Sequence, residues 1–269
     1  MTVHTAPLLL LLAFLGLAPL AAQPTWMREV NLTKPGPHLP TRPIELTYDL
    51  SWNGRVSAGQ ATIRFGHPDP RYPRSYIAQS YGSTTGFARK LFQFDFNYTS
   101  FLRPASFRPQ VFVAEEKTSD ELKRTETRFE RGRVKATEQK TDRKTGKVDT
   151  SNSSFTYPNA LGVHAAVIWA RSLDLKAGQE AVFVVMPFKT PYLCRLTHLG
   201  HEVVATRRTI KYDLKLHKID KKTLQLKDYD KVKSLVLWIS DDAERLPLEF
   251  RSEVFIGDVR AVLTSRRYP

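Results

Sequence analysis

From Ile44 to Trp52 apolar and polar residues alternate without a break, the period of a strand with one buried face. Asn53-Gly54 follows directly. That pair suits a type I′ turn, whose two central residues both take positive φ. Val56, Ala58, Ala61, Ile63 and Phe65 carry a return strand, and the alternation slips around Gly59, which predicts a bulge. Further strands are predicted over Tyr76–Gly82, over Phe92–Thr99 and at Val111 and Val113, with a turn and one helical turn between Thr84 and Leu91. Phe92, Phe94, Phe96 and Tyr98 fall on one face of their strand. The polar stretch Glu121–Gln139 is rich in Thr and Arg. With Arg131-Gly132 near its middle, it reads as a long, solvent-washed hairpin.

One main helix is predicted, over Asn159–Ser172, with Asn159 as its cap and Leu161, Ala165, Ile168 and Trp169 on one face. The unbroken apolar run Ala181–Met186 is expected to be a strand buried on both faces. Val203-Val204, Ile210–Leu216, Ser234–Ser240, Pro247–Phe250 and Val259–Leu263 supply later strands. Ten or more strands around one main α-helix make the expected fold all-β, or β-dominated.

The start of the chain breaks this pattern. Residues 1–22 contain no Lys, Arg, Asp or Glu, and Leu8–Leu17 is continuously apolar. Pro19 ends that run and Ala21-Ala22 follow it, the layout of a secretory signal peptide cleaved after Ala22. The run is too short to cross a bilayer, which takes about 20 apolar residues. Five prolines crowd residues 23–43, which read as an extended N-terminal arm, and residues 44–269 read as a single β domain. The chain is thus expected to be exported to the periplasm or cell envelope and soluble after cleavage. Cys194 is the single cysteine, so no intramolecular disulfide is expected, and the thiol is expected to be buried and inert.

Charge adds a question of partners. The net charge is +14, concentrated in Lys117–Lys147, with 11 basic and 6 acidic residues, and in Arg207–Lys233, with 10 and 4. Side by side in space, these would make a face suited to an anionic envelope surface. The plainer reading is that the cations keep exposed strands soluble and block edge pairing. No nucleic-acid partner is expected.

Chemistry is sparse. His198 and His201 stand three apart, but a zinc site needs further ligands, and on a strand the two rings are expected on opposite faces. Asp241-Asp242 read as turn-forming or capping residues before Pro247. There is no Gly-x-Ser-x-Gly elbow, Walker loop or dinucleotide fingerprint. No catalytic residue, metal or cofactor is assigned.

Several motifs carry a resemblance. They are Tyr81-Gly82-Ser83-Thr84-Thr85-Gly86-Phe87 with Asp95 and Pro104 after it, and Ala165-Ala166-Val167-Ile168-Trp169-Ala170-Arg171. The closing set is Leu237-Trp238-Ile239-Ser240-Asp241-Asp242, Arg245-Leu246-Pro247 and Ile256-Gly257-Asp258-Val259. In this order they resemble the bacterial exported domain-of-unknown-function family 3108, over residues 44–263. The helix lacks that family's acidic-proline entry, and Arg207–Lys233 lacks its usual glycine turn. The resemblance implies a strongly curved antiparallel sheet or incomplete barrel, loosely similar to lipoprotein-carrier half-barrels that shelter acyl chains. It implies no activity.

On such a sheet Phe92, Phe94, Phe96 and Tyr98 are the candidate ligand-binding surface, joined by Trp169 and Trp238; core packing is the plainer role for all six. The expected function is non-enzymatic binding of a lipid-like, apolar or amphiphilic ligand. The alternatives are a structural or interaction protein that docks through a basic face to anionic envelope polymer or a protein partner, and an unrecognised hydrolase.

Overall fold

The computed structural model describes residues 23–40, 42–229, 232–254 and 257–269; the signal segment read in residues 1–22 lies outside them. A helical turn, α1 (Trp26–Glu29), precedes β1 (Ile44–Trp52), β2 (Val56–Phe65) and β3 (Tyr76–Thr84). Then come α2 (Gly86–Leu91), β4 (Phe94–Leu102), β5 (Pro109–Thr118), β6 (Glu121–Glu130), β7 (Arg133–Asp142) and β8 (Val148–Phe155). After α3 (Val163–Arg171) follow β9 (Glu180–Val185), β10 (Tyr192–Val204), β11 (Arg207–Ile219) and β12 (Leu226–Asp228). The chain ends with β13 (Val232–Ser240), β14 (Pro247–Val254) and β15 (Gly257–Arg267).

The strands form one antiparallel sheet in the order β8-β7-β6-β5-β4-β3-β2-β1-β15-β14-β13-β11-β10-β9, with β12 paired to β11. Nearly every neighbour is the next strand in sequence, as a succession of hairpins dictates. The exceptions are β15, which returns to pair with β1, and β13, which pairs with β11 because β12 lies off the main path. The outermost strands of this order, β8 and β9, do not pair with each other, so the sheet is open.

The sheet curls until its two ends overlap. Val134, Ala136 and Phe155, on the inner face of β7 and β8, share a core with Val182, Val184 and Leu193 of β9 and β10. Those three alternate with Phe183 and Cys194, which face the interior, so they belong to the outer face. Trp26 packs into the same overlap and donates its indole N–H to Leu224 O at 2.7 Å. The proline-rich arm is thus a docked segment rather than a free linker. Asn31 exchanges backbone and side-chain hydrogen bonds with Val182 and so blocks the β9 edge.

The β1–β2 hairpin forms as the pattern predicts, with Asn53 at φ 50° and Gly54 at φ 63°. Its register slips where Leu50 pairs with Gly59 and Ser51 with Ser57, which is the bulge. A Cβ on Gly59 would stand 2.1 Å from Ser83 O, so only glycine fits between β2 and β3. The β10–β11 hairpin carries no comparable signal: Ala205 (φ 46°) and Thr206 (φ 68°) make the turn. Thirteen-residue strands on either side stabilise that strained pair.

Three expectations are corrected. Gly162, not Asn159, is the cap residue of α3, and Asn159 instead accepts from Arg108 Nη1 at 3.2 Å. His198 and His201 do not face opposite ways. A bulge at Leu199 brings their rings to 5.2 Å, and His198 faces Leu175 O and Gly200 O at 2.7 and 3.2 Å. No group of three or more potential metal ligands occurs among the described residues. Finally, β15 extends well beyond Val259–Leu263.

Candidate functional site

Helix α3 lies within the curl and presents two apolar faces. Ala165, Ile168 and Trp169 are fully buried in the main core, as their spacing predicts. Val163, Ala166, Val167 and Ala170 recur at the same helical spacing nearly half a turn away and line a pocket of about 610 Å³. That volume falls in the range of ligand sites, about 300–1,000 Å³. The facing wall is sheet: Phe183 on β9, Cys194 and Leu196 on β10, Leu214 and Leu216 on β11, Leu237 on β13. Each position follows the two-residue period, so the outward neighbours Arg195, Lys215 and Trp238 are absent from the lining. Cys194 is buried, and burial pushes its thiol pKa up, which makes it an unreactive wall residue.

Polar groups are few and sit mainly at the two ends. At one end the rings of Tyr192 and Tyr229 meet edge to face at 5.2 Å, and burial raises the Tyr192 phenol to about 12. At the other, Tyr48 donates to Pro247 O at 2.9 Å. Beside it stands Arg171, the last residue of α3, 4% exposed. Its guanidinium carbon is 5.8 Å from the Phe65 ring, and Nη2 donates to Glu244 O. Nε and Nη1 are buried without a hydrogen-bond partner. Burial lowers the Arg171 pKa, while Tyr76 and Tyr48 favour the charge. An arginine nonetheless keeps its proton, so a positive charge is held at this end with donors unused.

The rest of the inner face, on β3–β8, mixes apolar side chains such as Phe112, Val134 and Phe155 with polar groups, most of which pair within the molecule. His164, on α3, bridges two strands: Nδ1 lies 2.7 Å from Ser100 Oγ and Nε2 3.1 Å from Ser80 Oγ. It is 2% exposed, and burial holds its pKa down at about 4. Tyr98 donates to Glu116 at 2.6 Å, Lys123 pairs with the same carboxylate, and Lys189 meets the buried Glu138 at 2.7 Å.

None of the six aromatic residues singled out from the sequence lines the pocket. Phe92, Phe94, Phe96 and Tyr98 do stand together, as a ladder with centroid spacings of 5.8, 5.9 and 4.9 Å. The ladder ends on Phe188, a pocket wall residue 5.7 Å from Tyr98. Trp169 is buried on the core side of α3 and donates to Ser106 O at 3.2 Å. Trp238 lies on the outer face, its N–H on Glu202 at 2.8 Å and its ring under Lys211 and Arg251. The pocket residues that were missed, such as Leu214, Leu216 and Leu237, did carry a signal, an alternation that marks them as inward.

The basic stretch Lys117–Lys147 is laced with acids: Arg128–Glu126 at 2.6 Å, Lys135–Glu130 at 2.8 Å and Lys144–Asp120 at 3.1 Å are examples. That is the pattern of a solvated sheet face. Asp242 accepts from Ser240 Oγ and from the backbone of Glu244 and Arg245, the turn-forming role expected of it. No helix among the described residues is long and apolar enough to cross a membrane.

A family model described as a protein of unknown function, DUF3108, matches residues 47–264. No curated protein matches the chain. Among solved structures, a β-barrel-like protein of domain of unknown function DUF1849 from Brucella abortus aligns with a TM-score of 0.53 at 10% identity. The alignment covers 86% of this chain and 99% of that one, and it shows likeness of fold alone.

Proposed function

Because the chain belongs to the DUF3108 family, which carries no assigned activity, we propose its function from the pocket itself: non-enzymatic binding of a single-chain amphiphile by an exported envelope protein. The observation that carries this reading is the apolar cavity of about 610 Å³ left along α3. Apolar cavities stay dry and gain free energy when an apolar chain fills them. Arg171 supports an anionic head: a carboxylate beside Nε and Nη1 would satisfy two buried donors and neutralise a buried charge. The apolar run in residues 1–22 supports export. His164 supports a binding role over a hydrolytic one, since its two nitrogens meet serine hydroxyls and no carboxylate orients the ring.

The test is to purify the protein after expression with its own N-terminal segment and compare native with denatured mass. Excess mass of a few hundred daltons, extractable into organic solvent, is expected. Stripped protein should then take up dodecanoate more tightly than dodecanol, and Arg171→Gln should erase most of that preference, about tenfold for one charge-assisted hydrogen bond. A bare native mass with no uptake of either probe would refute the binding reading. Equal uptake of both probes by the unaltered protein would refute the role of Arg171 alone.

A further inference from the structure

The exposed apolar side chains are gathered on one rim of the sheet. Nine large hydrophobic residues are exposed among those described, and six of them sit at the same end of the strands: Val56, Phe87, Leu91, Phe92, Leu122 and Val148. The antiparallel register places them there. Val56 opens β2 opposite Trp52, and Thr84 at the end of β3 pairs with Gly59 beside it, so α2 and Phe92 stand over that end. Leu122 follows the β5–β6 turn, and its row continues through Thr141 to Val148 at the β7–β8 turn. Phe87, Leu91 and Phe92 are the most prominent cluster, 64%, 73% and 58% exposed. They lie on or directly after a helix of six residues that also carries Arg89 and Lys90. Exposed aromatic and leucine side chains cost solvation free energy and commonly mark a contact surface.

Two observations say what covers them. The turns of this rim carry Arg55, Lys90, Lys117, Arg143, Lys144 and Lys147; Lys144 and Lys147 pair with Asp120 and Asp149, and the remaining cations stand among the apolar tips. That mixture matches an anionic lipid surface, where phenylalanine and leucine enter the interface and Lys and Arg meet the headgroups. The rim is also continuous with the pocket. Tyr192 begins β10 on this same rim, and the ladder from the exposed Phe92 leads to Phe188 in the pocket wall.

We propose that this rim, led by Phe87, Leu91 and Phe92, docks the protein on an anionic lipid membrane. The inference stands on the distribution of exposed side chains and holds whether or not the pocket carries a ligand. The test is co-sedimentation of the full protein with vesicles of phosphatidylcholine, with and without phosphatidylglycerol. Binding to the anionic vesicles is expected. Combined Phe87→Ser, Leu91→Ser and Phe92→Ser should weaken it at least tenfold, whereas Tyr72→Ser with Val203→Ser, exposed on the opposite rim, should leave it unchanged. A wild-type protein that stays in the supernatant overturns the proposal. So does a folded triple variant that binds as well as wild type, which would be adsorption by charge alone. Should the triple variant fail to fold, Phe92→Trp decides: a blue shift of its added emission on anionic vesicles supports insertion, and an unshifted one overturns it.

Discussion

The inner face of the sheet differs sharply between its two parts. On β9–β11 and β13 it is apolar, and a void remains between it and α3. On β3–β8 it carries Ser80, Ser100, Glu116 and Glu138, and each has a partner inside the molecule. Polar groups in a buried face must be paired, and pairing them uses up the space between them. Apolar groups impose no such demand, so their half can stay open for something else. The connection after β9 marks the boundary. Phe188 lines the pocket, while its carbonyl accepts from Thr127 and the neighbouring Lys189 reaches Glu138.

If the two parts differ in this way, equal cuts should cost unequally. Phe112, fully buried on the polar side, packs against Tyr98, Phe188 and His164 at centroid distances of 5.9, 5.7 and 6.2 Å. Phe112→Ala should cost about 3–5 kcal/mol of stability in urea unfolding. Leu214→Ala on the pocket wall should cost about 1 kcal/mol or less, because the atoms removed already face a void. Similar costs at the two sites would mean the pocket is packed after all.

His164 should give the next largest effect. Its folded pKa of about 4 lies below the ordinary 6.5. Between those values the unfolded chain takes up a proton that the folded chain refuses, so stability falls as pH drops through this window. The fall amounts to roughly 3 kcal/mol across it, and above it the contribution is flat. His164→Gln should remove most of that slope when unfolding at pH 7 is compared with unfolding at pH 4.5. An unchanged slope would show that the imidazole is solvated in the folded protein.

The smallest effect on stability should come from filling the pocket. Ala166→Phe points its ring into the void, so it should leave the unfolding midpoint nearly unchanged while weakening uptake of an acyl probe at least tenfold, about 1.4 kcal/mol. A loss of 1–3 kcal/mol in stability, the usual cost of overpacking, would place Ala166 in a packed core instead.

Legibility tracked the range of each interaction. The Asn53-Gly54 turn and the bulge near Gly59 were readable because their causes lie within a few residues. The helix was readable through Ala165, Ile168 and Trp169, but only for one of its two buried faces, and Leu161, expected on the same face, instead precedes α3 in a bridge to Val185. Val163, Ala166, Val167 and Ala170 form a second, weaker stripe of small residues on the pocket side. The aromatic residues drew attention as ligand contacts because of their size. Trp169 and Trp238 instead fill the core and cover the outer face, and Phe94, Phe96 and Tyr98 stack on one another. Their bulk fills space, whereas the cavity is lined by alanine, valine and leucine together with other aromatic residues, Phe183, Phe188 and Tyr192 among them. The rings of His198 and His201 share a face for a related reason: a bulge at Leu199 changes facing by one residue, and the strand glycine beside it, Gly200 at φ 133°, is the only local sign of it.

By itself the sequence determined that the chain makes a β-dominated antiparallel fold, where most of its strands turn, and which side chains share a face, since a two-residue period is a local property of the backbone. Whether an inward face meets a packed neighbour, a buried charge or empty space was decided by the curl of the whole sheet, the overlap of β7 and β8 with β9 and β10, and the placement of α3 inside it. Those depend on contacts between residues up to two hundred positions apart, such as Trp26 with Leu224, and volume left unfilled among such contacts leaves no mark on the pattern of any one segment.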